Sequence, residues 1–454
     1  MPKPLPSAAD QQVFDRLSAD SHVDLILPDL NGLLRGKRVH RDALPKAYAD
    51  GVCLPMSLIA TDITGNTVEE TGLGYDIGDE DRICRVIPGS LRPVPWEPVA
   101  GAQCLLEMED AGGAFEASPR SVLQRVLRGY DALGLTPVVA VELEFYLLDA
   151  RLGADGLPRV ATNPATGAPD RATQVYYLQD LADHRDFIDG VAAACRTQGV
   201  PADTAVAEYA PGQFEINLRH RADALAACDD ALYLKRAVKA VATAQGRQAS
   251  FMAKPFVDQA GSGLHVHVSL RDRDGRNPFA STPEAPAAAL RHAIAGLQAA
   301  CEDCMLLFAP HANSYRRFVL NAFVPLNDCW GHNNRTVALR IPHSDPDNVR
   351  IEHRIAGADA NPYLVVAAVL AGMLDGLRAG REPTPPVTGN AYAQTALREP
   401  YWRQSLERFA RSAFVERHFG TRFRHIYAAQ KQRELRTWER EVTPLDIAWY
   451  LRTV

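Results

Sequence analysis

No run of 18 uncharged apolar residues occurs in this sequence, so no membrane-spanning helix is expected. The opening residues, Met1-Pro2-Lys3-Pro4-Leu5-Pro6, contain no apolar core of the kind a secretory signal carries, so none is expected there. Long basic runs are also missing and the formal net charge is −6, which argues against nucleic-acid binding as the main activity. Of the eight cysteines only Cys301 and Cys304 stand close together, and a second pair at zinc-finger spacing is absent. That pair lies in a segment that reads as helical, so buried structural thiols are expected, and scattered thiols in a large chain fit a reducing cytoplasm. The pattern Gly-x-x-x-x-Gly-Lys-Ser/Thr does not occur, which excludes a P-loop enzyme. Internal repeats and low-complexity tracts are lacking too.

What is present is a chain of 454 residues, 46% hydrophobic and 23% charged, enough for a large core and two or three domains. After a short helix over 8–19, Val23 to Leu27 reads as a strand, Asn31-Gly32 as a hairpin turn, and Leu33 to Val39 as the returning strand. The segment 103–116 repeats the idea around Gly112-Gly113, so the first part is small and β-rich. Ser118-Pro119 is an N-cap followed by proline at the first helical position, and that helix runs to about Gly134. A domain boundary is therefore expected near 115, separating 1–115 from 116–454. Beyond it, strands are expected at 137–148, 203–208, 213–218, 249–256, 264–270 and 349–354. Helices are expected at 181–198, 222–245, 286–308, 361–378 and 421–440. The strands show no regular βαβ rhythm, which points to an α+β fold with a largely antiparallel sheet.

Several of these strands carry charge at alternate positions. Residues i and i+2 of a strand share a face, so Glu142 and Glu144 stand side by side in an otherwise apolar segment. The two carboxylates repel and lose hydration, and a divalent cation would relieve both costs; an edge facing solvent is the plainer reading. His265 and His267 repeat the register behind Gly261-Ser262-Gly263, whose backbone can approach a ligand closely. Glu352 lies in a third such segment, and Glu208 and Glu215 flank a Pro-Gly turn. Five glutamates and a histidine in strand-like segments suit one or two Mg2+ or Mn2+ ions. The arginines near Asn313-Ser314-Tyr315-Arg316-Arg317 and Asn333 to Arg340 can grip carboxylate or phosphate oxygens, although surface arginines are common. Together, metals and arginines read as a phosphoryl-transfer site.

With these motifs in view the chain resembles the glutamine synthetase family, and within it the branch that ligates amines such as putrescine. The resemblance rests on VELEFYLLD at 141–149, AEYAPGQFEINL at 207–218, FMAKPFVDQAGSGLHVHVSL at 251–270, NSYRRF at 313–318, WGHNNRTVALRIP at 330–342 and RIEHRIAGADANPYL at 350–364. It implies an N-terminal β-grasp domain, a catalytic domain with a bent antiparallel sheet, and a homo-oligomer, a dodecamer of two hexameric rings with active sites between subunits. It implies ATP as a substrate, two to three Mg2+ or Mn2+ ions per site, and transfer of glutamate through an acyl phosphate to an amine. By position, Glu144, Glu208 and Glu215 would hold one metal, and Glu142, His265 and Glu352 another. Arg317 and Arg354 would grip glutamate with the Gly261 backbone, Arg335 and Arg340 would neutralise phosphate, and His267, Ser269 and Arg350 would bind nucleotide. Asp62 would reach the amine site of a neighbouring subunit.

Two positions depart from the ammonia-using pattern. Phe323 stands where those members carry a glutamate, and Ala260 where they carry an asparagine. An aromatic residue offers an apolar wall to an alkyl chain where a carboxylate would favour ammonium. A γ-glutamyl-amine ligase is therefore expected, with an ammonia-using glutamine synthetase and a catalytically silent sensor as alternatives. The complete set of six metal positions argues against the silent reading, and NSYRRF against a guanidino kinase. If the amine is a diamine, Glu69 and Glu70 are candidates by location for its far ammonium.

Overall fold

A computed structural model describes residues 5–110, 113–172, 174–394 and 399–454 and shows an α+β molecule with two sheets. The first sheet contains β1 (His22–Pro28), β2 (Leu34–His40), β3 (Val52–Pro55), β4 (Asp81–Val86), β5 (Arg92–Val94), β6 (Gly101–Asp110) and β7 (Gly113–Ala114). Its order is β2-β1-β6-β4-β3, with β1 and β6 parallel. The hairpin between β1 and β2 turns where expected. Gly32 adopts φ +74°, a left-handed conformation open to glycine at no steric cost, and its N–H bonds the Asp29 carbonyl at 2.9 Å.

The second sheet contains β8 (Thr136–Asp149), β9 (Ala202–Ala207), β10 (Gln213–Leu218), β11 (Arg247–Ser250), β12 (Leu264–Arg271), β13 (Trp330–His332), β14 (Leu339–Ile341) and β15 (Ile351–His353). Its order is β13-β14-β15-β12-β8-β10-β9, antiparallel except for β13 and β14. The Glu-x-Glu strand β8 thus lies inside the sheet, between β12 and β10, and not at an edge. The apolar residues of β8 face the core, and Glu142 and Glu144 alternate with them on the opposite face.

One continuous apolar cluster runs through both sheets, from Val23 and Leu105 to Val141, Leu264 and Val366. At its centre the helix Pro362–Ala379 packs on the helices Ala288–Ala300 and Pro119–Asp131. Glycines allow this closeness: a Cβ on Gly296 would lie 2.0 Å from the Gly372 carbonyl oxygen, and one on Gly376 2.0 Å from that of His292. Among the described residues, Pro362–Ala379 is the one helix long and apolar enough to cross a membrane, and 78% of that span is buried.

A buried polar knot ties the first sheet to the long helix Thr421–Arg440. Glu434 accepts from Asn31 at 3.1 Å and from the Ile63 N–H at 2.9 Å, and pairs with Lys431 at 2.9 Å. Some expected elements differ. The strand expected over 249–256 stops at Ser250, because the Lys254 N–H bonds the Asn313 side chain instead of a neighbouring strand and Pro255 has no N–H. The helix expected over 286–308 ends at Ala300, leaving Cys301 and Cys304 as buried thiols in a turn before a short helix Met305–Phe308. The first helix ends at Phe14, and the one expected over 181–198 is divided at His184. Of the turn expected at Gly112-Gly113, Gly112 lies outside the described residues; Gly113 pairs with Asp110.

Candidate active site

Strand register sets out the polar face of the second sheet. Glu215 on β10 lies opposite Glu144 on β8, Glu142 on β8 opposite His265 on β12, and Glu352 on β15 opposite Arg340 on β14. A row of ionisable side chains therefore crosses five adjacent strands. Like charges directly opposite one another destabilise a sheet, so the Glu144–Glu215 pair is costly without a cation. Glu142, His265 and Glu352 each offer an atom within 4.8 Å of the others, and so do Glu144, Glu215 and His265.

Within the row, His265 Nδ1 lies 3.3 Å from Glu142 Oε2 and 4.0 Å from Glu352 Oε1, and its Nε2 lies 3.9 Å from Glu144 Oε1. His267 Nε2 lies 2.8 Å from Glu142 Oε1. The charge is unevenly distributed. Burial would raise Glu142, but His267 and His265 hold it well below the ordinary carboxylate range. Burial likewise opposes ionisation of Glu352, yet Arg354 and the two imidazoles bring it down to about 2. Among the described residues, Glu208 and Glu215 have no cationic partner within ion-pair distance. Burial and repulsion from Glu142, Glu144 and Glu208 push Glu215 well above its ordinary value. Burial and Glu144 raise Glu208 to about 7 against the pull of Arg335.

These side chains fit a divalent-cation site: hard oxygen donors, buried and mutually repelling, with one imidazole among them. His265 faces both groups, but a neutral imidazole has one lone pair and can ligate through one nitrogen only. The group left without it needs another carboxylate, and Glu208, electrostatically coupled to Glu144, is at hand.

The guanidiniums divide in the same way. Arg340 bonds Glu352 at 2.7 Å and Asn333 at 2.9 Å, and Arg354 makes a short ion pair with Glu352. Arg317 is 3% exposed and donates to the Ile355 carbonyl at 2.7 Å, yet no ion pair to it occurs among the described residues. Glu144 and Asp359 act on it only from beyond ion-pair distance, and a buried guanidinium without a direct ion pair is a place for an anionic ligand. The Gly261–Gly263 segment brings these groups together: a Cβ on Gly263 would lie 2.9 Å from Arg317 Nη2 and from His265 Nε2, and 3.4 Å from Glu144 Oε1. At Gly261 a Cβ would lie 2.6 Å from Arg317 Cγ. The glycines thus make room for protein side chains.

On one side of the row, His267, Ser269 and Arg350 line an open groove of about 1170 Å³. Arg350 Nε donates to His267 Nδ1 at 3.3 Å. Arg335 is exposed and acts electrostatically on Glu208. Phe323 sits on a loop, 52% exposed as a residue, with its carbonyl 3.5 Å from Arg354 Nη2. The hydrogen bonds of Asp62 are local and none goes to the row. Its Oδ1 accepts from the Thr64 N–H and hydroxyl at 2.9 and 2.7 Å and from the Asn66 N–H at 2.9 Å. Glu69 accepts from the Tyr75 N–H, and Glu70, exposed, lies 3.5 Å from Arg436. The Ala260 carbonyl accepts from Tyr146 at 2.6 Å.

Two residues given no role in the sequence reading also touch the row. Gln213 donates to Glu144 at 3.3 Å, and Asn217 donates to Glu142 at 3.2 Å. Both belong to the alternating face of β10, the signal that could have singled them out.

Residues 116–450 match the family "Glutamine synthetase, catalytic domain", and the chain belongs to the glutamine synthetase family. Its relatives narrow the class further. The chain is 44% identical over 452 residues to γ-glutamylputrescine synthetase of Escherichia coli, covering 98% of this chain and 95% of that protein. It is 33% identical to a glutamate–isopropylamine ligase of a Pseudomonas species, covering 93% of each. It is also 33% identical to a γ-glutamylethanolamide synthetase of Streptomyces coelicolor, covering 94% and 91%. The solved structure of apo GmaS without ligand superposes with a TM-score of 0.82 at 26% identity, over 95% of this chain and 97% of that one.

Proposed function

We propose that this chain is an ATP-dependent ligase joining the γ-carboxylate of glutamate to an amine other than ammonia, of the putrescine, polyamine or small monoamine class. The relatives carrying this activity in their names support the class of reaction. The structural observation that carries the reading is the row of buried carboxylates and imidazoles beside Arg317, a buried guanidinium with no direct ion pair among the described residues.

In this reading Glu144, Glu208 and Glu215 hold one Mg2+ or Mn2+, and Glu142, His265 and Glu352 hold another, two to three ions serving each site. Bound there, the ions offset the charge of the ATP phosphates. His267, Ser269 and Arg350 bind the nucleotide in the adjoining groove. Arg317 and Arg354, with the Gly261 backbone, hold the glutamate carboxylates. The γ-carboxylate oxygen attacks the terminal phosphorus of ATP and ADP leaves, while Arg335 and Arg340 stabilise the transferring phosphate. Asp62 of a neighbouring subunit draws in the ammonium form of the amine and accepts its proton. The neutral nitrogen then attacks the acyl carbon and phosphate departs. Residues 1–115 form the domain that delivers Asp62, and residues 116–454 the catalytic domain. A dodecamer of two hexameric rings in the cytoplasm completes the reading.

Phe323 decides the amine. Its ring cannot pair with ammonium but can cover methylenes at about 0.8 kcal/mol each, so a four-carbon chain gains roughly 3 kcal/mol at best. Phosphate release measured with glutamate, ATP and a panel of amines tests this. Alkylamines should exceed ammonia in kcat/KM, and Phe323→Glu should lower alkylamine use. A wild type that prefers ammonia to every alkylamine would make the chain an ordinary glutamine synthetase.

A further inference from the structure

We propose that Tyr392 is the positioning residue that holds the Phe323 loop over the site, excluding water from the acyl phosphate and setting the preference for an alkylamine. The proposal rests on the ligase reading above.

The Phe323 loop has little to hold it. Asn321 and Phe323 have φ of +62° and +53°, the left-handed region, which asparagine tolerates but a bulky residue such as phenylalanine rarely adopts without strain. Among the described residues, two hydrogen bonds reach the tip from outside. The Arg354 contact to the Phe323 carbonyl is long, at 3.5 Å, whereas the Tyr392 hydroxyl donates to the Val324 carbonyl at 2.8 Å. Tyr392 is 9% exposed, and burial pushes its phenol up, so it is a donor at neutral pH.

What makes Tyr392 a fixed point is the strap that carries it. The Val387 N–H bonds the Trp330 carbonyl at 2.8 Å, and Trp330 Nε1 donates to the Thr384 carbonyl at 2.6 Å. Asn334 Nδ2 donates to the Val387 and Gly389 carbonyls at 3.2 and 2.8 Å, and the Ala391 N–H bonds the Thr336 hydroxyl at 3.0 Å. The strap is thus fastened to the segment bearing Arg335, and its last described turn, Ala391–Gln394, presents the phenol to the loop. The loop that faces the amine is thereby positioned against the segment that faces the phosphate. With the latch undone, strain favours opening of the loop, and water then attacks the acyl carbon in place of the amine. That reaction yields glutamate and phosphate, so ATP is consumed without amide.

The experiment measures phosphate released per amide formed in the wild type, Tyr392→Phe and Tyr392→His, each checked for folding by thermal melting. Tyr392→Phe removes one oxygen and should raise the ratio roughly two- to tenfold, the range of one lost hydrogen bond. It should also raise KM for the alkylamine while leaving KM for glutamate and ATP unchanged. Tyr392→His keeps a ring donor and should bring the ratio back toward the wild type. A tyrosine serving stability alone would lower all rates in parallel, so an unchanged ratio in Tyr392→Phe overturns the proposal. Equal uncoupling in both variants assigns the effect to packing and also overturns it. If only Tyr392→His folds, a wild-type ratio supports the latch and an uncoupled one refutes it. A wild type that forms no amide with any amine fails the ligase reading itself, a result distinct from failure of the latch.

Discussion

Glu215 and Glu144 face each other on adjacent strands, and their repulsion helps to push Glu215 well above its ordinary value, which makes the metal prediction specific. Chelation should lower the melting temperature, and saturating Mg2+ or Mn2+ should raise it by about 5 °C, as expected for a ligand well above its Kd. Glu142→Ala, Glu144→Ala and His265→Ala should each lose at least roughly 10³-fold in turnover while remaining folded. Near-normal turnover in one of them removes that residue from the site. These residues were legible in the sequence because strand period is a fixed geometric rule: two carboxylates at i and i+2 inside an apolar run must share a face. Arg317 was legible as a motif member, but its lack of a direct ion pair was not. Whether a guanidinium meets a carboxylate depends on what the fold brings near it, and here the Ile355 carbonyl takes the bond while Glu144 and Asp359 act from farther away.

At the scale of elements, the helix pair Ala288–Ala300 and Pro362–Ala379 meets backbone to backbone at Gly296, Gly372 and Gly376. Gly296→Ala should force the helices apart and cost about 1–3 kcal/mol, read by urea denaturation, despite the higher helix propensity of alanine. A stabilised variant would show that the helices can move without loss. Glycine in a helical pattern reads in sequence as a weak point, and only the crossing shows it to be a contact. Long elements with caps and clear period, such as β8 or the helix after Ser118, were legible to within a few residues. The short strands β3, β13 and β14 were not, since three or four residues carry too little pattern and are fixed by their neighbours.

Across the whole molecule, the first sheet is held to the long helix Thr421–Arg440 by Glu434. Burial opposes its ionisation, but Lys431 and His311 lower it from 4.5 to about 2. A depressed carboxylate adds stability above its unfolded value and loses it as pH falls through the folded one. The advantage of wild type over Glu434→Gln, on the order of 3 kcal/mol, should therefore shrink between about pH 4.5 and pH 2 in urea denaturation. A constant difference over that range would show that charge is not what Glu434 contributes. Asp62 lies on the loop that this knot fixes, and its hydrogen bonds go to Thr64 and Asn66, not to the carboxylate row. Mixed oligomers of Asp62→Ala and Glu144→Ala subunits should regain partial activity, because some interfaces then carry both intact halves. Absence of recovery in verified mixed oligomers would count against a site between subunits.

The central position of Pro362–Ala379 also has a consequence in time. Its partner helix Pro119–Asp131 leaves the ribosome roughly 230 residues earlier, an interval of about 12–46 s at 5–20 residues per second. Throughout that interval the apolar face of Pro119–Asp131, and later that of Ala288–Ala300, waits for a helix that has not yet been made. When Pro362–Ala379 does emerge, both of its seats are already present, so the longest strongly apolar helix among the described residues is the one that need not wait. The exposure falls instead on the nascent chain before residue 362, whose apolar helix faces stay open to non-native contacts until the last seat is filled.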